Sequence, residues 1–156
     1  MASAATMATT ESDSGHTALA PREYTRPHIQ RLPLAQADVD TARTFTRQCL
    51  RGWQFADPGF ASEVTLVVSE LVNNAFQHAE VPEELRLIRR PGGVLVEVDD
   101  IGPGRPVPLP PSAERGHGRG LAIVDALACR WTVRVRGSGR KTVRAALGHP
   151  GTAAAV

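Results

Sequence analysis

Cysteine is nearly absent from this chain: Cys49 and Cys129 are the only two, far apart and in no CxxC pair. That spacing excludes a zinc ribbon or a dithiol redox motif, and two lone thiols suit a reducing compartment. Aromatic residues are also scarce, at 4%, so the core has to be built from valine, leucine and alanine. No apolar run approaches the roughly 18 residues that a membrane span needs. Met1 to Ala20 is small and polar, with Glu11 and Asp13, and lacks the basic and apolar regions of a signal peptide. The net charge of +2 is too small to imply nucleic acid. A cytoplasmic chain with one domain is expected, and a domain of this size buries roughly two-thirds of its unfolded surface without disulfide or metal.

Residues 1–28 are rich in Ala, Thr and Ser with no apolar period and read as a disordered arm, and 148–156 as a similar tail. The domain is expected over 29–147. A short strand over 29–34 comes first. Val39, Ala42, Phe45, Cys49 and Leu50 then carry helical spacing over 36–51. Asp57-Pro58 is an N-cap followed by proline at the first helical position, which predicts a helix to about His78. Leu85 to Ile88 and Val94 to Val98 alternate around Pro91-Gly92-Gly93, the pattern of a hairpin. Five prolines lie between Asp100 and Gly118, so that stretch is a loop, and a loop this long is usually functional. A helix over 118–129 and strands over 131–136 and 141–147 complete the chain. The expected fold is α+β: a two-layer sandwich with helices on one face of a mixed, mainly antiparallel sheet.

Three segments carry candidate chemistry. Glu70, Asn74 and His78 stand at i, i+4 and i+8 of one helix, a polar stripe that drifts about 40° per step beside the apolar face. Glu70 could deprotonate a hydroxyl, and the Asn74 oxygen is a hard ligand suited to Mg²⁺. An ordinary amphipathic helix would carry the same stripe on a solvated side. Asp100 continues the inward series of Val94, Val96 and Val98, where its carboxylate needs a donor such as the amine of adenine; a plain acidic turn is the alternative. Gly116, Gly118 and Gly120 alternate just before a helix, a seat for phosphate or the glycine end of a loop. The spacing is not the dinucleotide fingerprint. Gly139-Arg140-Lys141-Thr142 is not a P-loop either, because Arg140 stands where glycine is required. Between Arg115 and Arg144, eight cations face only Asp125, which could attract phosphate or an acidic partner, or simply solvate strand edges.

Taken in order, these segments resemble the GHKL superfamily with its Bergerat ATP-binding fold. Glu70-Leu-Val-Asn-Asn74-Ala with His78 is similar to its N box. Asp100-Ile-Gly102-Pro-Gly104 is similar to its first glycine box, and Gly116-His-Gly118-Arg119-Gly120-Leu121 to its second. Arg31-Leu-Pro-Leu, Ala42-Arg43-Thr-Phe45 and Lys141-Thr142-Val143 bring it nearest the bacterial anti-sigma serine/threonine kinases. The resemblance implies Glu70 as general base, Asn74 as Mg²⁺ ligand, and His78 near the phosphates or ribose. It implies Asp100 on the adenine amine, with Gly102 and Gly104 shaping that wall and Thr142 behind the base. Gly116, Gly118, Arg119, Gly120 and Leu121 would complete the nucleotide site, under a lid between Gly104 and Gly116. The implied cofactors are ATP and Mg²⁺. The implied partners are a sigma factor, an anti-anti-sigma protein of the STAS type and a second copy of the chain, with no direct nucleic acid or membrane contact. The other reading is an ATP-dependent binding module without significant kinase activity.

Overall fold

A computed structural model describes residues 28–102 and 119–151. The elements run β1 (Ile29–Pro33), α1 (Val39–Gly52), α2 (Pro58–His78), β2 (Val81–Arg90), β3 (Gly93–Ile101), α3 (Arg119–Leu127), β4 (Arg130–Val135) and β5 (Arg140–Gly148). The five strands form one sheet in the order β1-β2-β3-β5-β4. The two-layer α+β architecture read from the sequence is the one found. The sheet differs from the expected mixed type in that all four pairings are antiparallel. The crossover through α3 carries the chain past the slot beside β3, which β5 then fills.

Local chemistry sets the helix limits. Asp57 caps α2 by accepting from the Phe60 amide at 2.7 Å, with Pro58 pre-set for the first turn. Asp38 does the same for α1 through Thr41, which moves that helix start to Val39 from the expected 36. The Thr41 hydroxyl and amide hold the Asp38 carboxyl below its ordinary value.

Alternation divides each strand between two environments. On one face Leu85, Leu87, Val96, Val98, Val143, Ala145 and Leu147 pack against Val64, Val67, Val68, Leu71, Val72 and Ala75 of α2, all buried. The other face carries charge. Arg86 donates to Glu84, Glu97 and Asp99, Thr142 donates to Asp99, and Arg144 pairs with Glu97. This network is why β2 and β3 extend beyond the apolar cores expected of them.

The chain beyond β5 also differs from the tail expected from 148 onwards. Gly148 closes β5, the His149 amide donates to the Gly92 carbonyl at 2.8 Å, and the His149 ring packs on Phe55 and Phe60. His28, expected in the arm, accepts from the Arg89 amide. The expected disorder of 1–27 and 152–156 lies outside the described residues. No helix among the described residues is long and apolar enough to cross a membrane.

Candidate nucleotide site

The site forms where the C-terminal half of α2, the end of β3, the start of β5 and the first turn of α3 meet. Inward parity along β3 brings Asp100 to the helix-facing side, where it is 1% exposed. Its register partner on β5 is Lys141, 2% exposed, whose Nζ lies 3.2 Å from Asp100 Oδ1. The contact is an ion pair without hydrogen-bond alignment, and neither carboxylate oxygen accepts a hydrogen bond among the described residues. Burial pushes the Asp100 carboxyl above its ordinary value, and Lys141 pulls it partly back. A buried carboxylate left this poorly served is costly unless something else donates to it.

Beyond Asp100 the chain closes tightly on α2. The Glu80 amide donates to the Ile101 carbonyl at 2.8 Å. A Cβ on Gly102 would stand 3.1 Å from Ala79 Cα and from the Glu80 nitrogen, so a side chain there would force the two segments apart. Gly102 is thereby held against the backbone just after His78.

Upstream on α2, Asn74 is half-buried and His78 exposed, about 6 Å apart along the helix axis. Glu70 is half-buried and reaches α3: its Oε2 lies 2.6 Å from where a Cβ on Gly120 would be. The glycine lets the first turn of α3 sit against this carboxylate. Leu121 is buried in the core and anchors that turn. Arg119 opens the helix, whose first amides have no intrahelical partners and can meet an anion. Glu70 also opens onto a cleft of about 430 Å³ between α1 and α2, lined by Asp38, Asp40, Arg43, Ser69 and Asn73. Arg43 spans it, donating to Ser69 Oγ at 2.9 Å and to Asp40 at 2.8 Å.

The structure thus brings Glu70 to Gly120 and Gly102 to the end of α2. Thr142 departs from its expected place behind the base. It pairs with Asp99 in register and donates to Asp99 Oδ1 at 2.6 Å, on the face of the sheet opposite Asp100. Lys141 stands in the place expected of it. Parity was the signal that could have found this, since Lys141, Val143, Ala145 and Leu147 alternate as Asp100, Val98, Val96 and Val94 do. Arg140, where glycine is usual, turns outward to Glu83 at 2.6 Å, and the turn's left-handed residue is Gly139, at φ 74°. Gly104, Gly116 and Gly118, with the lid they bound, lie outside the described residues.

Compared with protein families, residues 32–147 match the histidine kinase-like ATPase domain. This chain belongs to that family. Its membership makes it an ATP-binding domain of the GHKL type. A search of curated proteins gave no match. Among solved structures, the SiaB–SiaC complex from Pseudomonas aeruginosa is similar at 15% identity, over 77% of this chain and 89% of that chain, with a TM-score of 0.46.

The residues present suit ATP in this ATPase domain. Asp100 Oδ2 is a buried acceptor with no partner among the described residues, which fits an amine donor. For Mg²⁺, the described residues contain no group of three acidic, His or Cys side chains able to hold a metal by themselves. The Asn74 side chain carries one neutral oxygen, a donor compatible with an ion that arrives with phosphates and keeps several waters.

Proposed function

We propose that this ATPase domain is a cytoplasmic serine/threonine-protein kinase and switch. It would hold a sigma factor and phosphorylate a STAS-type anti-anti-sigma partner, working as a homodimer. The observation that supports this reading is the position of Glu70. Its carboxylate touches the first turn of α3 on one side and opens onto the α1–α2 cleft on the other. A carboxylate between the first turn of a helix and an accessible polar cleft supports the role of a base for an incoming hydroxyl.

In this mechanism Asp100 accepts from the adenine amine and fixes the nucleotide. The α3 amides, with Gly116, Gly118, Arg119 and Gly120, hold the phosphates, and His78 lies beside the phosphates or ribose. Asn74 would hold Mg²⁺, which supplies charge neutralisation on the phosphates. Glu70 takes the proton of the acceptor hydroxyl as its oxygen bonds to the γ-phosphorus. The bond to the β-phosphate oxygen breaks and ADP leaves. A carboxylate pre-placed for that proton contributes about 10²–10⁴-fold.

The test uses a cognate STAS-type protein and labelled ATP. Glu70→Gln should lower phosphoryl transfer by about 10²-fold or more while leaving ADP affinity within a few-fold of the parent. Asp100→Ala should instead weaken every adenine nucleotide. Transfer undiminished in Glu70→Gln would exclude this carboxylate as the base and favour a purely binding role.

A further inference from the structure

Lys141 faces Asp100 in this pocket, and the nucleotide reading gives it no role. A buried lysine is expensive, and nothing in the packing of β5 requires one; Val143, Ala145 and Leu147 fill the same face with apolar side chains. Its Nζ lies 3.2 Å from Asp100 Oδ1, and neither oxygen of that carboxylate accepts a hydrogen bond among the described residues. A positive charge at that distance favours the ionised form of the carboxylate, which can only accept hydrogen bonds, whereas a protonated carboxyl could donate one.

That difference is the one that separates two classes of purine. A 6-amino purine presents an N–H donor at this edge and a 6-oxo purine an acceptor. Resting on the nucleotide-site reading above, we infer that Lys141 is a specificity-determining residue: it holds Asp100 in its acceptor-only form, so the pocket takes 6-amino purine nucleotides and refuses 6-oxo purine nucleotides. The surrounding charges leave this task to Lys141. Asp99 on β3 and Glu83 on β2 both oppose ionisation of Asp100. Those two are themselves occupied, by Arg86 and by Arg140. On α2 the titratable residues of the polar stripe are Glu70 and His78, one turn to either side of the uncharged Asn74. Without Lys141, burial would act on Asp100 unopposed, and a neutral carboxyl would greet either base.

The experiment measures affinity of the full chain for ADP and for inosine diphosphate, with Mg²⁺, by calorimetry between about pH 6 and pH 8.5. The parent should prefer ADP by about tenfold or more at every pH. Lys141→Met should lose that preference at the acid end and regain part of it at the alkaline end, while Lys141→Arg should retain it throughout. A Lys141→Met protein with the parent's ratio and a flat pH profile overturns the inference and leaves the ATP reading standing. A parent that binds neither nucleotide removes both. If Lys141→Met does not fold, carbon-13 NMR of the Asp100 carboxyl in the parent decides. A carboxylate ionised across that pH range supports the role given to Lys141, and one that titrates within it overturns that role.

Discussion

Asp99 and Asp100 are neighbours in sequence and opposites in circumstance. Asp99 faces the charged side of the sheet, where Arg86 grips it with two nitrogens at 2.6 and 3.2 Å and Thr142 adds a hydroxyl at 2.6 Å. Burial would raise its pKa, but those hydrogen bonds and the Arg86 charge win, and the carboxyl stays below its ordinary value. Asp100, one residue on, is more deeply buried and among the described residues has Lys141 as its one ion-pair partner, so burial wins and its pKa rises. A carboxylate with both oxygens hydrogen-bonded is a fastener, whereas a buried one with neither oxygen served has room to accept a donor. Parity along β3 decides which of the two circumstances each side chain meets.

The contrast can be broken first at Arg86. Its pKa is raised because hydrogen bonds to Asp99, Glu97 and Glu84 outweigh the opposing effect of burial. Arg86→Ala strips three carboxylates of their shared cation and should cost about 3–5 kcal/mol in urea denaturation. ADP affinity of the protein that remains folded should change little, since none of these groups faces the pocket. A large loss of affinity would show that the two faces are not separate.

Gly120→Ala sharpens the receptor side. The added methyl would meet Glu70 Oε2 at 2.6 Å and push the carboxylate aside, a displacement worth about 10²-fold in phosphoryl transfer. Melting temperature should hold or rise slightly, because alanine is the better helix former. A transfer rate unchanged by the methyl would mean that Glu70 need not stand where it does.

The smallest effect is in pH. Asp99, with its lowered folded value, adds stability that is complete above its unfolded value of 3.8 and is lost as pH falls through the folded one. For Asp100 the sign reverses: its contribution is complete below 3.8 and is lost as pH rises through the raised folded value. Asp99→Asn should therefore flatten the acid loss of stability, and Asp100→Asn should remove a decline on the other side of pH 4. Denaturation midpoints at a series of pH values would reveal a shared sign, which would contradict the division.

Much of the fold was legible because its signals are local. Asp57-Pro58 and the valine stripe of α2 needed nothing from elsewhere, and both ends of that helix fall where they were read. The ends of β2 and β3 were not legible, since Glu84 and Asp99 look like loop residues until their shared partner Arg86 is known. The inward position of Asp100 could be read from parity, and the place of Glu70 beside the apolar stripe of α2 from spacing. Thr142 was misplaced by one residue of parity, because the resemblance supplied a role and the strand supplied the face. What distinguishes Lys141 from the arginines around it is burial, and burial of a single lysine is decided by a strand 41 residues away in sequence from its partner, Asp100 to Lys141.

The contact of His149 with Phe55 and Phe60 lies at the far end of this sheet. Gly148 pairs with Gly93, seven residues before Asp100, so roughly 23 Å of strand separate it from the buried Asp100 carboxylate. A reporter dye placed beside that aromatic knot would therefore sense the integrity of the hairpin tip while remaining blind to direct contact with a nucleotide. Unfolding at one pole and occupancy at the other can then be followed as two independent signals.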